Sequence, residues 1–596
     1  MASTDTLLEL EQAGLIALDD SPADASRALA RSNGSRISIS NPLIACGIRQ
    51  LQKPLRRRAH IRELIDVYSR DPNGLADEDQ LRLLAWRAEV SPGELTESDL
   101  LFACQLAHSR NDLHAAADFS YAAWMKYKSP KAASLFARIS ISLGNHSAAC
   151  AIADEAPDDA DELQAIAARG LMLQCMHRDA ETRFRHLTEV EQNRCQGILM
   201  YLRGDYRGCI DHLSKYLSDE DPSHRLEAAV FVSASLCGAG RPEDALDICE
   251  QLQNPADSNR STPFLLYAEH LEDMRCIALA QLGRLDEAAR FLSTEYNRSL
   301  SGSNSHSDAR RGLFLGETLL EMGLPRTALE YLSLSDAYST GWEVLEWKGR
   351  VLELLARHLL PGEWVVEAPG MEVLAGDGLG HLSSNAAVVN AWQEVSNSKF
   401  NQAAEILLTE AGSQMRRQAY GEVARLVHEM GRLGFSHHTT EFWEIPLQGS
   451  YLGAKVGFAK AIASSDVSLL RRAAATFASC GANLYAAEAY AELSRLYTRL
   501  GNDRASTAAR QQAASLSSRC EGAVTPALRM LAEVNHLSAR EREIAGLVSR
   551  GLSDKEIADA LILSPRTVGN HLYRIYRKIG VADRRELRAR WGKIHL

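Results

Sequence analysis

An all-α chain, built as a long helical repeat array with a small helix-turn-helix module at its C-terminal end, is predicted by three observations. Glycine followed five residues later by a small residue recurs as Gly144/Ala149, Gly204/Cys209, Gly240/Ala245, Gly283/Ala288, Gly323/Ala328 and Gly481/Ala486. The last sixty of the 596 residues spell out four short helices, each with its start written in the sequence. Charge divides the chain at the same place. From Leu537 on, 13 Lys/Arg face 7 Asp/Glu, or +6, whereas the whole chain carries −11 and the remainder therefore −17.

At the N-terminal end, LLELEQAGLIAL reads as a helix running into a strand. After the polar stretch SPADASRALARSNGS comes a second strand, Arg36 to Ser40, then Pro42 and a helix from Leu43. Helix, strand, variable loop, strand is the order of a winged-helix wing, so residues 1–70 are expected to be a small winged-helix remnant. Arg56, Arg57 and Arg58 invite a nucleic-acid reading, but a run of charge on a helix more simply marks a solvated face.

Residues 71–519 are expected to be helical repeats, with no strands from about Asp77 to Arg519. Each repeated glycine ends an apolar-periodic helix, as in FVSASLCGAG, CIALAQLG and GETLLEMG. The small residue that follows lets the next helix approach its partner closely. Glycine-to-glycine spacings of 36, 43 and 40 resemble a degenerate tetratricopeptide-like helical solenoid. Weaker repeats are expected at Asn111/Ala116 and Ser398/Ala403. The stretch from Pro361 to Asn385, with Gly376, Gly378 and Gly380, breaks the helical pattern and reads as an exposed connection, or else as a hinge or ligand loop between two solenoid halves. The solenoid is either a spacer and oligomerisation body or a surface for an unknown effector or protein partner.

Residues 520–536, with Gly522 and Pro526, are expected to be a short semi-flexible linker. Residues 537–596 are expected to fold as four helices. Ser538/Glu541, Ser553/Glu556 and Asp583/Glu586 have the spacing of capping boxes. Ser564 followed by Pro565 opens the third helix, because proline's fixed φ suits the first helical position. Gly551 and Gly580 stand where left-handed residues stop the first and third helices. Only Ile562 and Leu563 separate the second helix from the third, so those two must cross sharply. Val568, Leu572, Ile575 and Ile579 give the third helix one buried stripe, to pack on Ile544, Leu547 and Val548 of the first helix and Ile557, Ala558 and Leu561 of the second.

The opposite face presents Asn570, Tyr573 and Arg574, which are expected to read bases. Asn and Arg are the side chains that pair bidentately with adenine and guanine edges. Lys555, Arg566, Thr567, His571, Arg577 and Lys578 flank that face and are expected to contact phosphates. The stretch from Leu537 to about Leu587 resembles the LuxR/GerE-type DNA-binding domain of bacterial transcription regulators. It keeps Arg540-Glu541, Gly551, Glu556-Ile557-Ala558, Thr567-Val568, His571, Lys578 and Gly580-Val581 in the register of that family. Gly569 departs from it, standing where the family often has Lys.

The segment from Asn41 to Val90, with PLRRRAHIRELIDVY and LRLLAWRAEV, is similar to the link between winged helix and repeats in large ATP-binding LuxR regulators. Their P-loop is missing here: no G-x-x-x-x-G-K-[S/T] occurs, and the one Gly-Lys, Gly592-Lys593, is followed by Ile594. The resemblance implies double-stranded DNA as partner, a homodimer on that DNA pairing through the last helix (Asp583 to Trp591), RNA polymerase as a further partner, and a cytoplasmic location. Arg584, Arg585, Arg588 and Arg590 crowd that helix and should keep the domain monomeric off DNA.

No catalytic constellation is legible. His437 and His438 are adjacent and diverge, there is no G-x-S-x-G or H-E-x-x-H, and the 11 cysteines are scattered singly. No enzyme activity, cofactor or metal is expected. No apolar run suits a membrane span, and the acidic MASTDTLLELEQAG lacks a signal-peptide layout. The sequence therefore predicts a DNA-binding transcription regulator. A second reading stays open: a solenoid adaptor for proteins whose DNA binding is weakened by Gly569.

Overall fold

The computed structural model describes residues 16–19, 36–39, 54–69, 75–110, 112–156, 161–252, 266–299, 305–338, 343–361, 380–529, 537–579, 581 and 583–595. Two compact units emerge, residues 1–140 with 152–157, and residues 141–151 with 158–596.

In the first unit, strands Ile16–Asp19 and Arg36–Ile39 pair antiparallel, Ile16 opposite Ile39 and Asp19 opposite Arg36. These are the two strands expected of a wing; the flanking helices expected from Leu7 and Leu43 lie outside the described residues. Helices Pro54–Tyr68, Asp77–Val90, Glu97–Ser109 and Leu113–Tyr127 follow. Arg57 pairs with Glu89 at 2.8 Å, so the arginine run serves at least in part to tie two helices together. A capping box between Thr96 and Asp99 opens the third helix, and its Ala103, Cys104 and Ala107 are buried with Ala116, Ala123 and Trp124 of the fourth.

Most of the second unit is an array of helices running from Asp161–Leu173 to Asp503–Ser517, ahead of the C-terminal helices, with no strand among its described residues. All six repeat glycines adopt positive φ, between 72° and 85°. Five of them, Gly204, Gly240, Gly283, Gly323 and Gly481, close their helices as Schellman motifs, satisfying carbonyls the helix end leaves unpaired. Asp205 N donates to Met200 O at 2.8 Å and Arg241 N to Leu236 O at 2.8 Å, and Arg284 with Leu279 and Leu324 with Leu319 repeat the bond. Five residues on, Ala149, Cys209, Ala245, Ala288, Ala328 and Ala486 are fully buried. Ser398 occupies the same left-handed position at φ 62°, and Ala403 is buried beneath the next helix, so the motif tolerates a non-glycine residue.

The array is folded on itself. Turns of the part before residue 361 seat, in order, on the part after residue 380. Arg417 Nη1 donates to Arg203 O at 2.9 Å, Gln448 N to Gly240 O at 2.9 Å, and Val524 N to Leu359 O at 2.7 Å. At Gly283 a Cβ would collide with Cys480 Sγ, so that turn needs glycine both for its φ of 82° and for the approach of the second half. The Gly-rich connection expected between the halves falls at this junction, and its residues 362–379 lie outside the described set.

Charged residues are buried between neighbouring helices. Glu227 accepts from Arg169, Arg194 and the Tyr267 hydroxyl. Burial pushes its carboxyl up, but the two guanidiniums outweigh this and bring it down to about 2. Arg432 spans Glu429 and Glu488, with Nε 2.9 Å from Glu488 Oε2. Such pairs add little net stability over apolar packing, but any wrong pairing would leave an expensive lone charge.

Candidate nucleic-acid interface

The C-terminal residues fold as four helices, Ala539–Ser549, Asp554–Leu561, Pro565–Ile579 and Arg584–His595. Both side-chain bonds of the capping box are made at Ser538/Glu541 and at Ser553/Glu556. These bonds, from the Ser553 backbone and hydroxyl, hold the Glu556 carboxyl below the ordinary carboxylate range. Ser564 accepts from Thr567 N at 3.1 Å, and Asp583 from Glu586 N at 2.8 Å. Gly551 stops the first helix at φ 93°. Gly580 lies outside the described residues, though Val581 N donates to Tyr576 O at 3.0 Å, the bond expected where a helix is closed there.

One small core holds the helices. Val568, Leu572 and Ile575 are buried with Ile544, Leu547, Val548, Ile557 and Ala558, and Leu561 packs at the edge. From the last helix, Leu587 and Trp591 enter the same core. The third helix is thus held along one face, and its other face is open. Asn570 and Arg574 are exposed there, and Tyr573 is 64% exposed. Lys555 and Arg566 are exposed, and Thr567 and His571 are half-buried. Arg577 and Lys578 belong to the same helix, and their side chains lie outside the described set. Asn570, Tyr573 and Arg574 thus lie on the open face of the third helix, Arg566, Thr567 and His571 elsewhere on that helix, and Lys555 on the second helix.

Three features escaped the sequence reading. Ile562, in the turn before the third helix, is left-handed at φ 53° and 94% exposed. Beside it, Arg540 donates to Leu561 O, strapping the first helix to the C-terminal end of the second. Arg584 donates to Leu552 O and pairs with Asp554. That pairing corrects the expectation that Arg584 adds to unneutralised charge on the last helix. All three depend on contacts more than twenty residues apart or on a φ that isoleucine rarely adopts.

Residues 535–589 match the family model described as bacterial regulatory proteins, luxR family. Over 51 residues the chain is 51% identical to a putative HTH-type transcriptional regulator of Mycobacterium bovis, covering 9% of this chain and 6% of that protein. It is 48% identical over 48 residues to a probable transcriptional regulatory protein NarL of Mycobacterium tuberculosis, covering 8% of this chain and 22% of that one. With the DNA-binding transcriptional activator DevR/DosR of Mycobacterium tuberculosis, identity is 37% over 73 residues, 12% of this chain and 34% of the relative. The chain thus spans at most about a third of the length of these relatives. Its C-terminal domain is a LuxR-type helix-turn-helix domain. No described helix is long and apolar enough to cross a membrane.

Proposed function

We propose that this chain is a sequence-specific DNA-binding transcription regulator acting in the cytoplasm without enzymatic activity. The DNA-binding domain comprises residues 537–596, and the helix Pro565–Ile579 lies in the major groove. Asn570, Tyr573 and Arg574 read base edges; Lys555, Arg566, Thr567, His571, Arg577 and Lys578 hold phosphates and set the register. The helical array of residues 71–519 is the sensor or partner-binding part. Two copies engage DNA together, and RNA polymerase is the downstream partner.

The observation that carries this reading is the open face of the third helix. A helix held in the core on one side presents on the other an Asn and an Arg, the side chains suited to bidentate contact with base edges, together with Tyr573. The +6 charge of the domain against the −17 of the rest supports DNA binding by this domain alone. Mapping of DNA bound by the full-length chain across its own genome tests the proposal. It predicts discrete sites sharing a sequence motif; uniform recovery of all fragments would refute it.

A further inference from the structure

The segment leading into the DNA-binding domain is fastened to a helix almost two hundred residues earlier. Glu521 follows the helix Asp503–Ser517 in a left-handed turn at φ 54°. Its Oε2 accepts from Arg326 N at 2.7 Å and from Thr327 N at 3.1 Å. Its Oε1 accepts from the Thr327 hydroxyl, and Arg326 Nε donates back to Glu521 O at 3.0 Å. These amides are the free donors at the start of the helix Pro325–Tyr338, whose first residue is a proline with no N–H to offer. Glu521 therefore caps that helix with a charge that favours the positive end of its dipole.

The rest of the segment follows it down. Cys520 is fully buried beside Gly323, Val524 N donates to Leu359 O at 2.7 Å, and Ala523, Ala527 and Leu528 join the core. Of the linker expected over residues 520–536, the first ten residues are thus part of the array. From Arg529 to Leu537 is eight residues, a reach of about 29 Å at full extension. Freed back to Ser517, the chain would reach about 70 Å over twenty residues.

We infer that Glu521 is a latch that sets the reach of the DNA-binding domain and places it under control of the first half of the array. With the latch closed, the basic domain is held near a body of charge −17, which DNA phosphates repel. With it open, the body can withdraw while the domain stays bound. Any ligand that shifts the start of the helix Pro325–Tyr338, or competes for its amides, opens the latch by population shift. This inference rests on the proposed DNA binding for its functional consequence but not for the latch itself.

The test uses the full-length chain and its Glu521→Ala and Glu521→Gln variants. Hydrogen exchange is followed at residues 323–330 and 520–529, with 483–499 and 539–549 as internal controls, and each protein is titrated with a single half-site DNA. The alanine variant should exchange about tenfold faster in both segments together, with the controls unchanged and the glutamine variant between. Its half-site affinity should rise about three- to tenfold at low salt and converge on the parent at high salt. Faster exchange at 323–330 alone would overturn the latch, leaving Glu521 a helix cap only. Release of both segments with unchanged affinity at every salt concentration would overturn its control of DNA binding. If no variant binds any DNA, the proposed function fails, while the exchange result still decides the latch.

Discussion

Lys455 Nζ lies 2.8 Å from Glu321 Oε2, a contact 134 residues apart in sequence across the seam between the two halves of the array. The Tyr451 hydroxyl donates to the same carboxylate at 2.6 Å, and the ammonium sits 5.0 Å from the Tyr451 ring centre. Burial raises the Glu321 carboxyl, but Lys455 and Tyr451 outweigh it and hold it below its ordinary value.

Breaking this pair should loosen the whole second unit. Lys455→Met leaves the Glu321 carboxylate without its counter-charge, held only by tyrosine hydroxyls, and should cost about 3–5 kcal/mol in denaturant unfolding. Because the folded carboxyl is depressed, its contribution is present above the unfolded value of 4.5 and is lost as pH falls through the folded value. In the variant the acid limb of the stability curve should flatten below about pH 4.5. An unchanged midpoint would mean that the seam carries no stability.

Glu272 has the opposite sign. Burial, reinforced by Glu295, pushes its carboxyl up to about 7, with Arg311 opposing. The folded state then binds a proton that the unfolded state releases near 4.5, so stability is greatest below that value. It falls as pH rises from about 5 to 7, by roughly 2–3 kcal/mol, and the loss is complete above about 7. Glu272→Gln should remove that slope, as thermal melts across pH 5–8 would show.

Two substitutions test the turns. Gly283→Ala forces a side chain onto Cys480 at a positive φ and should destabilise by roughly 2–4 kcal/mol. Ser398→Gly, at φ 62°, relieves a left-handed serine and should be neutral or stabilising by up to about 1 kcal/mol. Equal effects of the two would contradict the role assigned to backbone conformation.

The repeat turns were legible because both of their demands are local. A positive φ selects Gly204 or Gly323, and close helix approach selects Cys209 or Ala328 five residues later. The open face of the third helix was legible for a similar reason, since the spacing of Val568, Leu572 and Ile575 fixes what must point away. The seam was not. Glu321 with Lys455, and Arg326 with Glu521, are separated by 134 and 195 residues and leave no periodic trace in either segment. Residues 520–529 therefore looked like linker, because Gly522 and Pro526 signal a break in helix and say nothing of burial.

Gly569 offers a gain-of-function test. It lies within the helix Pro565–Ile579, and a Cβ there would meet nothing within 4 Å. Gly569→Ala should stabilise the domain by about 1 kcal/mol through helix propensity alone. Gly569→Lys adds a cation beside the proposed reading face, and should tighten binding to all DNA with a salt slope steeper by about one. A lysine that weakened binding would place that face away from DNA.

The central claim is that Asn570, Tyr573 and Arg574 read sequence from an open helix face. Its most direct test is the ratio of affinities of the full-length chain for a genome-selected fragment and for a scrambled fragment of equal length. Arg574→Ala should lower that ratio by roughly 1–3 kcal/mol, about 5- to 150-fold. Lys578→Ala should weaken both fragments about equally and flatten the salt slope by about one. Equal affinity of the unsubstituted chain for both fragments, or a ratio that Arg574→Ala leaves unchanged, would contradict the account.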